Sequence, residues 1–233
     1  SVEADYPYLS ANTRWRSSGE SPTDIGILPF TVTTVNELRV GIIGLTTLDT
    51  PSATNPINVQ DLDFIDYEMA LRETLPLVQA QDTDINLVIA HVCVEPLERL
   101  IRNTRDLDIA LFGAGHCNEL LSRRVHGSVL LSGGFHFTAY AKASFTVDTE
   151  RNVISQRMFT IHDNEYATDN ETIAGIVHSW SAETEEILSE KLAYSDRVFE
   201  RTGEELEQAI VNSWLLADPS ADIAITNAGG IRI

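Results

Sequence analysis

Two histidines each close an apolar run: His91 after "INLVIA" and His116 after "LDIALFGAG". Imidazole suits zinc, manganese and iron, whereas an amide oxygen is a harder and weaker ligand. Asn118, two residues past His116, adds such an oxygen to the same rim. Ligands of open α/β sheets collect at the carboxyl ends of the strands. If the two runs are neighbouring strands, both imidazoles can face one crevice. The residue types leave two readings open: a metal ligand set of His91, His116 and Asn118, or separate loop histidines each satisfied by a hydrogen bond.

Other chemistries fit less well. "GAGHCN" (113–118) follows a predicted strand and precedes "ELLSRRV" (119–125), which reads as helical, so a dinucleotide cradle is conceivable. Its third glycine position is Asn118, however, and the next strand, ending "LLSGGF", lacks the acid that would hold a ribose. There is no GxSxG nucleophile elbow. Cys93 and Cys117 form no CxxC pair and suggest no disulfide framework. Each lies beside a histidine, but adjacent residues at a strand end point apart, which disfavours a thiolate–imidazole pair. His126, His136, His162 and His178 read as packing or surface residues, with His136 of most interest between two strand ends.

The elements that must position these groups follow from periodicity. "LRVGIIGLTT" (38–47), "INLVIAHV" (85–92) and "LDIALFG" (107–113) are near-continuous apolar runs, as in parallel strands covered on both faces. Between them, 64–81 places Leu71, Leu75 and Val78 on one helical stripe, and 94–104 does so with Leu97, Leu100 and Ile101. Pro96 fits the opening turn of the second helix. This β-α-β-α-β order predicts a layered α/β domain. Strands at 128–134, 138–148 and 153–163 follow on short connections, with "TERN" (149–152) as a hairpin turn, so this half is expected to be antiparallel. A long helix over 168–193, capped by Asp169 or Asn170, then connects to a helix at 203–217 and a new strand from "DPSADIAITNAGG". The expected domains are 1–167, a linker helix region at 168–202, and the start of a second α/β domain at 203–233. The opening without Met and the abrupt ending "NAGGIRI" give both ends a cut appearance.

Composition narrows the partners. Thirty-five acids against sixteen bases leave a formal charge of −19, and only two of the bases are lysines, Lys142 and Lys191. Such a surface repels phosphate backbones, which argues against a nucleic-acid groove. Self-repulsion at this charge is relieved when salt shortens the screening length to about 3 Å near 1 M. A halophilic protein is therefore expected. No apolar run approaches the roughly 18 residues of a membrane span, and no signal-like segment opens the chain.

Several stretches together resemble the 5′-nucleotidase family, which includes UDP-sugar hydrolases and 2′,3′-cyclic phosphodiesterases of the calcineurin-like metallophosphoesterase superfamily. They are "YPYLSANT" (6–13), "RVGIIGLTTLDTP" (39–51), "INLVIAHVCVE" (85–95), "LDIALFGAGHCN" (107–118), "AKASFTVD" (141–148) and "ADIAITNAGGIR" (221–232), in the family's order.

The resemblance implies an α/β/β/α sandwich with two divalent metals, manganese or zinc, at the strand ends. It also implies hydrolysis of nucleotide phosphate esters, usually outside the cytoplasm. His91 matches the family's Ser-His metal motif, with Ala90 in place of the serine. His116 matches the first histidine of its Gly-His-Thr-His or Gly-His-Ser-Gln motif. Asn118 stands where the family carries His or Gln, so its amide is one methylene shorter than glutamine. Asn227 and Arg232 match nucleotide-contacting positions, whereas the match at Arg201 is one residue loose and carries nothing over. The family's Asp-x-His, Gly-Asp and Gly-Asn-His-Glu motifs, with the catalytic histidine, should precede "YPYLSANT" and are not in this sequence. The resemblance thus implies a metal-dependent phosphohydrolase as the parent protein, with this chain alone nearly inactive. A non-catalytic module that binds nucleotides or a partner is the alternative.

Overall fold

The computed structural model describes residues 5–150, 153–164, 168–191, 194–196, 198–200 and 203–226. Asn227, Arg232 and Arg201 lie outside the described residues. The chain divides into two compact units, Ser1–Ala167 and Thr168–Ile233.

The strands of the first unit are β1 (Tyr8–Leu9), β2 (Thr13–Trp15), β3 (Ile27–Leu28), β4 (Phe30–Val35), β5 (Leu38–Thr46) and β6 (Leu62–Phe64). They continue with β7 (Ile85–His91), β8 (Leu111–Ala114), β9 (Leu120–Val125), β10 (Ser128–Gly133), β11 (Ala139–Asp148) and β12 (Val153–Asp163). Its helices are α1 (Thr50–Ala53), α2 (Tyr67–Gln79) and α3 (Val94–Asn103). A six-stranded sheet in the order β4-β5-β7-β8-β10-β9 forms the centre. Strands β5, β7, β8 and β10 run parallel, and β4 and β9 close the two edges antiparallel.

The helices form where the periodicity places them. Asp66 caps α2 by accepting from the backbone N–H groups of Glu68 and Met69 at 2.9 and 3.1 Å. Leu71, Leu75 and Val78 of α2 join Leu97, Leu100 and Ile101 of α3 in one core with Ile43, Leu45, Val88, Ala90, Phe112 and Leu130 of the sheet. Both helices therefore cover the same sheet face.

The opposite face is less covered than the apolar runs predict. Ile89, on the far side of β7 from the buried Val88 and Ala90, is 55% exposed, while Leu87 and Leu111 are half-buried. The reading of β7 as covered on both faces is thus corrected for its carboxyl half: on the far face Ile85 is buried, but Leu87 is only half-buried and Ile89 is exposed.

Two further expectations change. "ELLSRRV" is not helical: Leu120–Val125 is strand β9, paired with β10 from Ser128↔Val125 to Gly133↔Leu120. The turn is His126-Gly127, and His126 has a φ of 48°; this short hairpin connection outweighs any helical spacing. The half beyond 128 is also not wholly antiparallel, because β10 pairs parallel to β8 and extends the first sheet. Within that half, β11 and β12 form a separate antiparallel pair.

The amino-terminal "SANT" is structural. Asn12 is fully buried, and its side-chain amide both donates to the Thr46 carbonyl and accepts from the Thr46 N–H, each at 2.8 Å. It behaves as one more rung of sheet at the carboxyl end of β5. Gly44 lets this segment close in, since a Cβ there would collide with the Leu9 backbone.

In the second unit, α4 (Glu171–Leu188) is capped by Asn170, which accepts from Thr172 and Ile173 N–H groups, and α5 (Glu204–Ala217) follows. The strand expected from Asp218 onward does not appear among the described residues 218–226. No described helix is long and apolar enough to cross a membrane.

Candidate metal centre

The parallel register brings the two histidines together. Strand β7 pairs with β5 up to Thr46↔His91 and with β8 up to Ile89↔Gly113, so the ends of β7 and β8 share one sheet edge. There His116 Nδ1 lies 3.1 Å from His91 Nε2, with ring centroids 4.8 Å apart and planes at 65°. Both side chains are exposed, and one imidazole N–H donates to the other ring.

The turn that carries His116 is built differently from the expectation that glycines make it. Neither Gly113 nor Gly115 is among the described glycines with positive φ, and a Cβ at either would meet only ordinary contacts. His116 and Asn118 themselves take the left-handed backbone, at φ 68° and 59°. This alternation turns the chain back on itself while leaving both side chains on the exposed rim.

Three successive residues after His91 hold that turn. The Val92 carbonyl accepts from Gly115 N–H at 3.1 Å. Cys93 is disulfide-bonded to Cys117, with Cα atoms 5.1 Å apart. The Glu119 carboxylate accepts from Val94 N–H at 2.9 Å, at the start of α3, where Cys93 offers no side-chain cap. The Glu119 carbonyl is fixed in turn by Ser132 Oγ at 2.5 Å and Gly134 N–H at 2.9 Å.

The disulfide corrects the expectation that the two cysteines suggest no disulfide framework. Pairing requires the β7–α3–β8 unit to return Cys117 to the edge where Cys93 sits, and the resulting Cα separation is ordinary for a disulfide. Glu119 was missed as well. Its signal, an acid where an uncapped helix start needs an acceptor, is visible only once Val94 is known to face it.

A metal fits this edge in part. Two nitrogens bound to one tetrahedral zinc stand about 3.3 Å apart, from a Zn–N bond near 2.0–2.1 Å. The 3.1 Å between His91 Nε2 and His116 Nδ1 matches that spacing. Asn118 is two residues along the same turn. Among the described residues, no group of three or more His, Cys, Asp and Glu side chains comes together as a metal cluster. The imidazole pair does not by itself make up a complete ligand set.

His136, His162 and Tyr140 lie elsewhere. Tyr140 stacks on His162 at 4.8 Å, and His136 packs edge-on to Phe135.

Comparison with known proteins decides the relationship. The chain is 30% identical over 118 residues to a snake venom 5′-nucleotidase from Crotalus adamanteus, covering 51% of this chain and 19% of that protein. It is related to the 5′-nucleotidases. This 5′-nucleotidase relative is also 20% identical, over 98% of its length and 20% of the other's, to the endonuclease YhcR of Bacillus subtilis (strain 168). Its fold matches the crystal structure of a 5′-nucleotidase precursor from Thermus thermophilus with a TM-score of 0.75 at 20% identity, over the whole of this chain and 50% of that one. No protein-family model matches it. The chain thus spans about a fifth of the curated relatives it matches. Its mixed α/β fold is that seen in the 5′-nucleotidase precursor from Thermus thermophilus.

Proposed function

We propose that this chain supplies part of the metal site of a nucleotide phosphohydrolase, with His91 and His116 as ligands to one divalent ion, manganese or zinc. The observation that carries the reading is the 3.1 Å approach of their ring nitrogens at the carboxyl ends of β7 and β8. Asn118 is the third proposed ligand, its amide oxygen serving from the same turn, and Asn227 and Arg232 are proposed nucleotide contacts. When bound, such a metal polarises a phosphoryl oxygen and lowers the pKa of a bound water. The chain's own residues hold and orient: the two imidazoles bind in their neutral form, and the turn at 115–119 fixes the direction of His116. Two imidazoles and an amide cannot fill two metal shells, so a two-metal centre needs donors besides these three.

The departure at Asn118 favours a second reading, a phosphoesterase-like shell that binds nucleotides without hydrolysing them. Phosphate release from 5′-AMP, UDP-glucose and 2′,3′-cyclic AMP, measured on the complete protein with Mn²⁺ or Zn²⁺, separates the two. Turnover abolished by His116→Ala and by His91→Ala supports the hydrolase. Turnover that survives both substitutions overturns the assignment of these ligands. Nucleotide binding without turnover supports the shell.

A further inference from the structure

We infer that the Cys93–Cys117 disulfide is the positioning device of the histidine pair, and that reducing it weakens metal capture there. The redox half of the inference rests on the metal reading above; the positioning half does not.

The covalent link joins the two ligand-bearing segments at the point where they need it. Cys93 lies two residues after His91, and Cys117 lies between His116 and Asn118. The other two ties between these segments end at Gly115 and Glu119, on either side of the turn. Within the turn, the backbone hydrogen bond from Cys117 N–H goes to Gly115 O, which is local and fixes nothing relative to His91. His116 and Asn118 are exposed and carry left-handed backbones, which non-glycine residues keep only when their surroundings impose it. The disulfide is the constraint at that position.

The bond is also reachable. Cys117 is exposed and Cys93 half-buried. A thiolate of a small dithiol attacks the Cys117 sulfur, and the S–S bond breaks with Cys93 as the leaving thiolate. The second dithiol sulfur then displaces Cys117. Two electrons and two protons pass to the cysteines, which become thiols, and the reagent ends as its cyclic disulfide. Both imidazoles remain, but the turn that aims His116 at His91 is free to relax. Orienting groups outside the ligands themselves typically alter metal affinity by about 10- to 100-fold.

The experiment compares the disulfide form of the chain with the double variant Cys93→Ser/Cys117→Ser and with His116→Ala. Zn²⁺ affinity is read by calorimetry, and amide hydrogen exchange is read without metal. The double variant should bind Zn²⁺ about tenfold or more weakly than the disulfide form. Its amides at 116–118 should exchange about tenfold faster, while Val88 and Ile89 in β7 keep their protection and report an intact sheet. Unchanged exchange at 116–118 in a folded double variant overturns the positioning role, and unchanged Zn²⁺ affinity overturns the redox coupling. A disulfide form that binds Zn²⁺ no better than His116→Ala overturns the metal reading and the coupling together. Faster exchange in that case still upholds positioning. If the double variant does not fold, the same exchange is read on the native chain reduced by a water-soluble phosphine, which ends as its oxide.

Discussion

His91 Nε2 and His116 Nδ1 stand 3.1 Å apart, although a helix and a strand separate them in the chain. Nothing local causes this approach. It follows from the parallel pairing of β7 with β8, which ends both strands at one sheet edge, and from three ties that bind residues 92–94 to residues 115–119. The pair is exposed, so its arrangement contributes little to folding and is free to serve a ligand.

Substituting either histidine should therefore separate binding from stability. In His91→Ala and His116→Ala, Zn²⁺ binding should be lost while unfolding free energy changes by only about 0.5 kcal/mol or less, as for exposed positions outside the packing. Calorimetry paired with urea unfolding checks both halves. A loss of several kcal/mol would mean that the pair is part of the core's support.

Asn12 should behave in the opposite way. Asn12→Leu keeps an approximate volume but strips the Thr46 N–H and carbonyl of their 2.8 Å partners in a buried position. Each unsatisfied group costs about 1–3 kcal/mol, so a total loss near 3 kcal/mol is expected. A urea midpoint that stays in place would show that water reaches the end of β5.

The Arg72–Asp106 pair makes a prediction about acid. Hydrogen bonds from the Arg72 guanidinium, at 2.8 and 3.2 Å, hold the Asp106 carboxyl below its usual range. Because the folded value is depressed, the pair stabilises the protein above the carboxyl's ordinary pKa. That contribution is lost as pH falls through the folded value. Arg72→Met should lower the melting temperature slightly at neutral pH, and the difference should shrink at acid pH, where only the bond from Arg72 to the Asn103 carbonyl is left to lose. Carboxyl resonances followed by NMR should show Asp106 titrating at higher pH in the variant. The pair lies at the surface, so the effect is small and fades in salt.

The charge of −19 predicts that salt stabilises. The urea midpoint should rise between about 0.1 M and about 3 M KCl as the screening length contracts to a few ångström. A midpoint that does not rise would remove the halophilic reading and leave an ordinary acidic protein.

Sequence alone determined what depends on near neighbours. The helical stripes of Leu71, Leu75 and Val78 and of Leu97, Leu100 and Ile101 were legible because a 3.6-residue period is a property of adjacent turns. The parallel strands at β5 and β7 were legible from their unbroken apolar runs, and the family relationship from ordered short motifs. His91 and His116 were legible as candidates because each stands at the end of such a run.

What the tertiary structure decided depends on register and return. "ELLSRRV" became a strand because His126-Gly127 turns it onto β10, a pairing that its own spacing does not encode. Cys93 and Cys117 became a disulfide, and Glu119 the acceptor at the start of α3, only when β7 and β8 ended side by side. The exposed flank of β7 at Ile89 shows the same limit. An apolar run states that a residue can be buried, but only the packed neighbours determine whether it is.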